Sequence, residues 1–423
     1  MTDEKSSPLV PTLRFPEFRE AGEWVEKKFR HLLKIVIDNR GKTPPLSNEG
    51  YPLIEVNALG ENLIDYKKVS KYVDEDTYCD WFRGHVQVGD ILFSTVGNIA
   101  ECSIVCNEKQ PVIAQNIVGL RFNENILSLF GFYLLTVFQN KNKFIKITMG
   151  AVQPSLKVSQ MINLLFYIPS ISEQQKIAAC LSSLDELITA HSKKLDALKK
   201  HKKGLMQQLF PAEGQTVPIL RFPEFSEAGE WVEKILGEIA KPVTKKVDGT
   251  DKVTVLTLSA EYGIISQGDY FGKKIAGENV ERYIFIIKND FVYNDRTTKL
   301  FTYGTIKRLS RYQSGMVSPI YKCFRFNEDE SPIFWEWYFE SGTHESQLHS
   351  LINEGARTGR FNISIQKFLS ISVLVPTLPE QQKIAACLSS LDELITAQSQ
   401  KLDALKKHKK GLMQQLFPAV GEE

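Results

Sequence analysis

The sequence predicts an α+β chain in which two α/β domains are each followed by a long helix, the two helices pairing as an antiparallel coiled coil. Three observations predict it. The chain repeats itself at an offset of 207 residues. The repeated blocks include a 40-residue stretch with heptad spacing, present twice. Between the blocks lie two segments of 145 residues each that mix β-branched and aromatic runs with glycine-bearing polar turns.

Residues 1–10 are polar, lack the apolar core of a signal peptide and read as a disordered tail. Residues 11–27 open the first domain and return as 218–234 with 15 of 17 positions identical. The first domain is expected over 11–172 and the first arm over 173–210. The second domain follows over 211–379 with a linker at 211–217, then the second arm over 380–417 and a tail over 418–423. The two 145-residue segments align poorly but carry landmarks in one order. Residues 89–94 answer to 289–294, and 121–124 to 325–328; an aromatic run, a polar loop and an apolar strand ending at Pro169 or Pro376 follow. So long a period is tandem duplication of a domain plus arm, not a solenoid.

The arms, 173–212 and 380–419, differ at two of 40 positions, His191 against Gln398 and Lys193 against Gln400. A recent duplication would have kept the intervening segments alike too, so a constraint acts on the arms while the domains vary. Along the first arm Ile177, Leu181, Leu184, Ile188, His191, Leu195, Leu198, Lys202, Leu205 and Leu209 alternate spacings of four and three. The second arm repeats the seam with Ile384, Leu388, Leu391, Ile395, Leu402 and Leu405. Ser172 with Gln175 suggests a capping box, Pro379 suits a first turn, and Pro211 and Pro418 stop the helices. Each arm is acidic in its first half and lysine-rich in its second, so antiparallel pairing opposes unlike charges. His191/Gln398 and Lys202/Lys409 are polar members of the seam and are expected to set register.

Lys and Arg total 52 against 50 Asp and Glu, a net charge of +2, which excludes a polybasic tail protein. No apolar run approaches the ~20 residues of a membrane span. The six cysteines form no CxxC pair, and Cys102 and Cys106 have no neighbouring partners for zinc, so reduced thiols in a cytoplasmic protein are expected. The chain has no phosphate-loop motif, GxGxxG, HExxH or G-x-S-x-G, and no Asn/Asp-Pro-Pro-aromatic tetrapeptide. No catalytic residues, metal ligands or cofactor are expected in it.

What remains is a set of polar loops. In the first domain Arg40, Lys42 and Thr43 lie on a glycine-flexed loop, Thr95 and Asn98 follow a strand, Gln115 and Asn116 precede another, and Gln153 sits in a further loop. Asn294, Arg296, Lys299, Arg357, Arg360 and Asn362 hold the corresponding places in the second. Arg can bridge guanine O6 and N7, Asn and Gln can bridge adenine N6 and N7, and Lys, Ser and Thr suit phosphates. These fourteen residues are the candidate DNA contacts, although polar glycine loops are also ordinary turns.

The doubled LRFPEF…AGEW, the doubled EQQKIAACLSSLDELITA…KLDALKKHKKGLMQQLFP, the GDILFS of 89–94 and the VSPIY of 317–321 resemble the specificity subunit of type I restriction–modification systems over nearly the whole chain. The resemblance implies two target-recognition domains joined by antiparallel helices in pseudo-twofold symmetry, each reading half of a split, asymmetric DNA site. It further implies two modification subunits carrying S-adenosylmethionine and two restriction subunits using ATP and Mg. Asn294 and Asp295 stand where the first domain has Ser94 and Thr95, so roles do not transfer between domains. The alternatives are a stand-alone bipartite DNA-binding regulator and a protein–protein scaffold.

Overall fold

The computed structural model describes residues 10–60, 62–106, 109–150, 152–247, 253–271, 280–296, 302–351 and 363–418. The expected tails fall almost wholly outside the described residues. Contacts divide the chain into two units, Met1–Ser192 with Gln400–Glu423, and Lys193–Ser399. The divisions fall inside the arms, because the two halves of each arm pack with different domains.

In the first unit a ribbon of Val25–Lys28 and Leu165–Ile168 joins the beginning of the domain to its end. Between them an antiparallel sheet runs in the order Leu33–Ile37, Ile117–Phe122, Ile91–Ser94, Cys102–Ile104. A smaller sheet holds Tyr72–Val73, Tyr51–Ile54 and Val112–Ile113. Ile91–Ser94 is apolar up to its last residue and wholly buried, as a strand covered on both faces should be. The helix Ser128–Thr136 buries Phe130 and Tyr133 in the core shared with Ile91 and Phe93.

The second unit has the same ribbon, Val232–Ile235 with Ser372–Val375. One sheet orders Ala240–Pro242, Lys322–Phe326, Phe291–Asn294 and Thr305–Arg308; another orders Gly263–Ser266, Val255–Ser259, Ser314–Val317 and Ile284–Ile287. Its aromatic helix, Pro332–Ser341, starts on a proline behind a Ser331 cap and stops at Gly342, whose φ of 81° is left-handed.

The landmarks shared by the domains are one device built twice. Strands Ile91–Ser94 and Ile117–Phe122 pair antiparallel, as do Phe291–Asn294 and Lys322–Phe326. That pairing sets Arg121 on Asp90 at 2.9 and 2.7 Å, and Arg325 on Asp290 at 2.5 and 2.9 Å. Each aspartate also accepts the backbone N–H three residues before it, from Gln87 or Ile287, closing a turn whose third residue has positive φ, Gly89 or Asn289.

The arms are the helices Ile171–Leu209 and Leu378–Leu416, each starting two residues earlier than expected. The cap explains the first: Ser170 Oγ accepts the Glu173 N–H at 3.4 Å, so Ser172 lies inside the helix instead of capping it. Pro379 sits in the first turn of the second, where its missing N–H leaves no bond unmade.

Each arm is locked at its head. Glu173, 1% exposed, takes two hydrogen bonds from the Arg14 guanidinium at 2.8 and 2.7 Å and one from the Trp24 indole at 3.3 Å. Glu380, equally buried, takes the same three from Arg221, at 2.7 Å twice, and from Trp231 at 3.3 Å. The next residue stitches arm to domain: the Gln174 amide accepts Leu127 N–H and donates to the Asn125 and Pro169 carbonyls. Gln381 accepts Ser331 N–H and donates to Glu330 and the Pro376 carbonyl.

Within each unit the arm halves run antiparallel. In the first, Arg14 holds the head of the first arm while the neighbouring Leu13 N–H donates to the Gln415 carbonyl, near the end of the second. Lys409 there pairs with Asp185, which also accepts the Tyr133 hydroxyl at 2.6 Å. In the second unit Leu220 N–H reaches the Gln208 carbonyl, Lys202 pairs with Asp392, and its ammonium lies 4.1 Å from the Trp337 ring centroid. Ile177 and Leu181 enter the first domain's core together with Leu416, and Ile384 and Leu388 enter the second's with Leu209. Leu195, Leu391 and Leu402 are buried, whereas Leu184, Ile188, Leu198, Ile395 and Leu405 are half-buried.

Arg14→Ala strands the Glu173 carboxylate in the core and is expected to cost ~3–5 kcal/mol in urea unfolding; Arg14→Met with Glu173→Leu should recover most of it. His344 is buried edge-on to Phe339, and burial depresses its pKa to about 3. Only the unfolded chain takes up that proton near the ordinary value of about 6.5. Stability is therefore whole above that pH and falls on acidification by up to ~1.4 kcal/mol per pH unit, a slope that His344→Leu should remove.

Candidate nucleic-acid interface

In the first domain strand pairing gathers the polar loops at one end of the sheet. Ile37 lies opposite Gly119 and Ser94 opposite Ile117, so the loop after Ile37, the loop after Ser94 and the loop before Ile117 meet there. Val96 bridges Ser155 and Gly97 N–H donates to the Pro154 carbonyl at 2.9 Å, which brings in the fourth loop.

The loops are held by buried polar groups. Asn39, 3% exposed, uses its whole amide: Nδ2 donates to the Gly84 and Ile113 carbonyls, and Oδ1 accepts the Arg83 and Gly84 N–H groups. Arg40 donates to both Asp38 oxygens at 2.8 and 2.7 Å and to Thr95 Oγ1 at 3.2 Å. Burial opposes ionisation of Asp38, but the Arg40 hydrogen bonds outweigh it and hold the carboxyl below its ordinary range. Thr95 is fully buried, and its N–H and hydroxyl both donate to the Asn116 carbonyl. It supports Arg40, and its hydroxyl is turned inward. Gln115, at a φ of 54°, donates from Nε2 to the Thr43 hydroxyl.

The structure thus joins Arg40, Thr43, Thr95, Gln115 and Asn116 in one network, with Asn98 and Gln153 on the loops bridged beside it. Lys42, Thr43, Asn98, Gln115, Asn116 and Gln153 are exposed, and Arg40 is half-buried in its ion pair. Arg83 is an exposed cation that the sequence patterns did not single out. It reaches the cluster because Asn39 grips its backbone, 44 positions away in the chain.

In the second domain Asn294 ends its strand opposite Thr305 and accepts Arg296 N–H, while the Arg296 side chain is exposed. Asp295 is buried and takes the Lys322 ammonium at 2.5 Å. Thr95 and Asp295 thus hold Arg40 and Lys322 respectively: one position anchors a cation in both domains with different chemistry. Lys299, Arg357, Arg360 and Asn362 lie outside the described residues.

Among the described residues no three His, Cys, Asp or Glu side chains gather as a metal site, and no helix is long and apolar enough to cross a membrane. Burial raises the Cys102 and Cys323 thiols well above their ordinary range. Paired loop-bearing domains on near-identical arms define a recognition protein. The profile of the type I restriction modification DNA specificity domain matches residues 21–200 and again 228–407. The chain belongs to that family, and it is the non-catalytic, DNA-recognising specificity subunit of a type I restriction–modification system.

Over 418 residues, 93% of each chain, it is 26% identical to the protein assigned as the MjaX type I restriction enzyme specificity subunit of Methanocaldococcus jannaschii. The crystal structure of the type I restriction–modification S subunit of M. genitalium matches with a TM-score of 0.58 at 14% identity, covering 97% of this chain and 100% of that one. A chain solved in work on assembly and conformational transition of the type I system matches at 0.52, also at 14% identity, covering 94% and 98%. At that identity the likeness is one of fold.

Anchors and exposed loop residues should separate in experiment. Asn39→Ala leaves buried backbone groups unmatched and is expected to cost ~2–3 kcal/mol of stability. Gln115→Ala should stay within ~0.5 kcal/mol by urea unfolding while changing DNA preference in gel-shift assays.

Proposed function

We propose that each domain reads one half of a bipartite, asymmetric DNA site and that the arms set the spacer between the halves. The observation that carries this reading is the contrast between identical anchoring and dissimilar loops. Arg14, Trp24, Glu173 and Gln174 recur as Arg221, Trp231, Glu380 and Gln381, while the Arg40–Thr95 hydrogen bond of one domain has no copy in the other, where Asp295 instead holds Lys322 from a strand. Sequence can change at the loops without disturbing the clamp. Lys42, Asn98, Gln115, Asn116 and Gln153 in the first domain, with Arg296 and the undescribed Lys299, Arg357, Arg360 and Asn362 in the second, are the proposed DNA contacts.

The arms also carry identical residues on surfaces that no core explains. Leu187 and Leu394 are repeat-related, apolar and exposed. Val25 and Val232, on the two ribbons, are exposed to the same degree. Identity at exposed apolar positions supports one kind of partner engaged twice. We take the partner to be the modification subunit, in two copies, with two restriction subunits completing a cytoplasmic complex. S-adenosylmethionine, ATP and Mg belong to those subunits in this reading.

Methylome sequencing of a strain carrying this chain and its modification subunit is expected to return a two-part motif with a fixed gap. One heptad inserted at matched positions in both arms adds ~10 Å of helix per arm and should widen the gap while leaving both half-sites unchanged. An unaltered gap would refute the spacer role.

A further inference from the structure

Residues 149–150 and 152–155 form a backbone-paired turn beside the loop cluster. Met149 and Ser155 exchange both backbone hydrogen bonds, at 2.9 and 2.8 Å. Gly150 turns at a φ of 92°, where a Cβ would come within 2.8 Å of the Gln153 carbonyl oxygen. The base of the turn is tied to the neighbouring loop by Gly97 N–H to the Pro154 carbonyl and by Leu156 N–H to the Thr95 carbonyl, at 2.9 and 2.8 Å. On this pinned turn Val152 is 100% exposed. It contributes nothing to the core, and its branched Cβ leaves it few rotamers.

Polar company tells what such a valine could meet. Val96 and Ser155 form an isolated bridge; Asn98 stands two residues beyond Val96 on its loop and Gln153 two residues before Ser155, and both amides are exposed. In the major groove an A·T pair offers adenine N6 and N7 on one side and the thymine C5-methyl on the other. An amide satisfies the first, and only an apolar group satisfies the second. We propose that Val152 reads a thymine methyl in the half-site of the first domain, beside an adenine contact made by Asn98 or Gln153. The inference rests on the half-site reading and adds a specificity-determining residue to it.

The test uses the full chain with its modification subunit and duplexes bearing its own methylated motif. Each thymine of the first domain's half-site is replaced in turn by deoxyuridine, which lacks the methyl and keeps every hydrogen bond. One replacement is expected to weaken wild-type binding roughly three- to tenfold, as suits one buried methyl contact. Val152→Ala should bind the thymine and uracil duplexes equally, at the weaker level, and Val152→Thr, which keeps a methyl, should retain part of the difference. Intact specific binding with no uracil-sensitive position overturns the valine contact and leaves the half-site reading standing. A Val152→Ala complex that keeps the full thymine preference overturns it too. Loss of all sequence preference in the wild-type complex would overturn both readings.

Discussion

A buried glutamate at the head of each arm is the constraint on which the rest of the molecule hangs. Glu173 and Glu380 are almost without solvent, and a carboxylate so placed is tolerable only when fully paired. The pairing comes from Arg14 and Trp24, or Arg221 and Trp231, which precede their glutamates by 159 and 149 positions. Meeting that demand brings the start of each domain onto the arm that follows its end. The ribbons Val25–Lys28 with Leu165–Ile168, and Val232–Ile235 with Ser372–Val375, close the same loop of chain in hydrogen bonds.

The lock explains why particular residues repeat. Arg and Trp of the LRFPEF…AGEW element serve the glutamate, and the following glutamine serves the domain's backbone. Lys202 and Lys409, polar in an apolar seam, each pair with an aspartate of the facing arm half and cover an aromatic ring of the domain, Trp337 or Tyr133. One lysine therefore fixes helix against helix and helix against domain at once. Such a position does not drift independently of its partners, whereas an exposed loop residue can.

The loop cluster divides its labour in the same way. Asn39, Thr95 and Asp295 are interior groups whose hydrogen bonds shape the loops, and Asn98, Gln115 and Gln153 are left to the solvent. Sequence pattern does not separate the two kinds, since both are small polar residues near glycine or at strand ends. By pattern alone Thr95 is indistinguishable from Asn98, although the one is buried and the other exposed. Nothing in the pattern around Arg83 marks its place, which depends on the backbone grip of an asparagine in another loop.

The sequence by itself determined the duplicated plan, the long helices, their opposed charge halves and the positions of the candidate loops. Each of these follows from local periodicity or from comparing one half of the chain with the other, and needs no knowledge of distant contacts. It also singled out the paired landmarks around Asp90 and Arg121 without showing that they are one ion pair. Tertiary structure alone decided which polar side chains face inward, where the arms divide between units, and what the repeated arginine and tryptophan are for. Burial and ion pairing join residues a hundred or more positions apart, and nothing in the spacing of a linear chain records them.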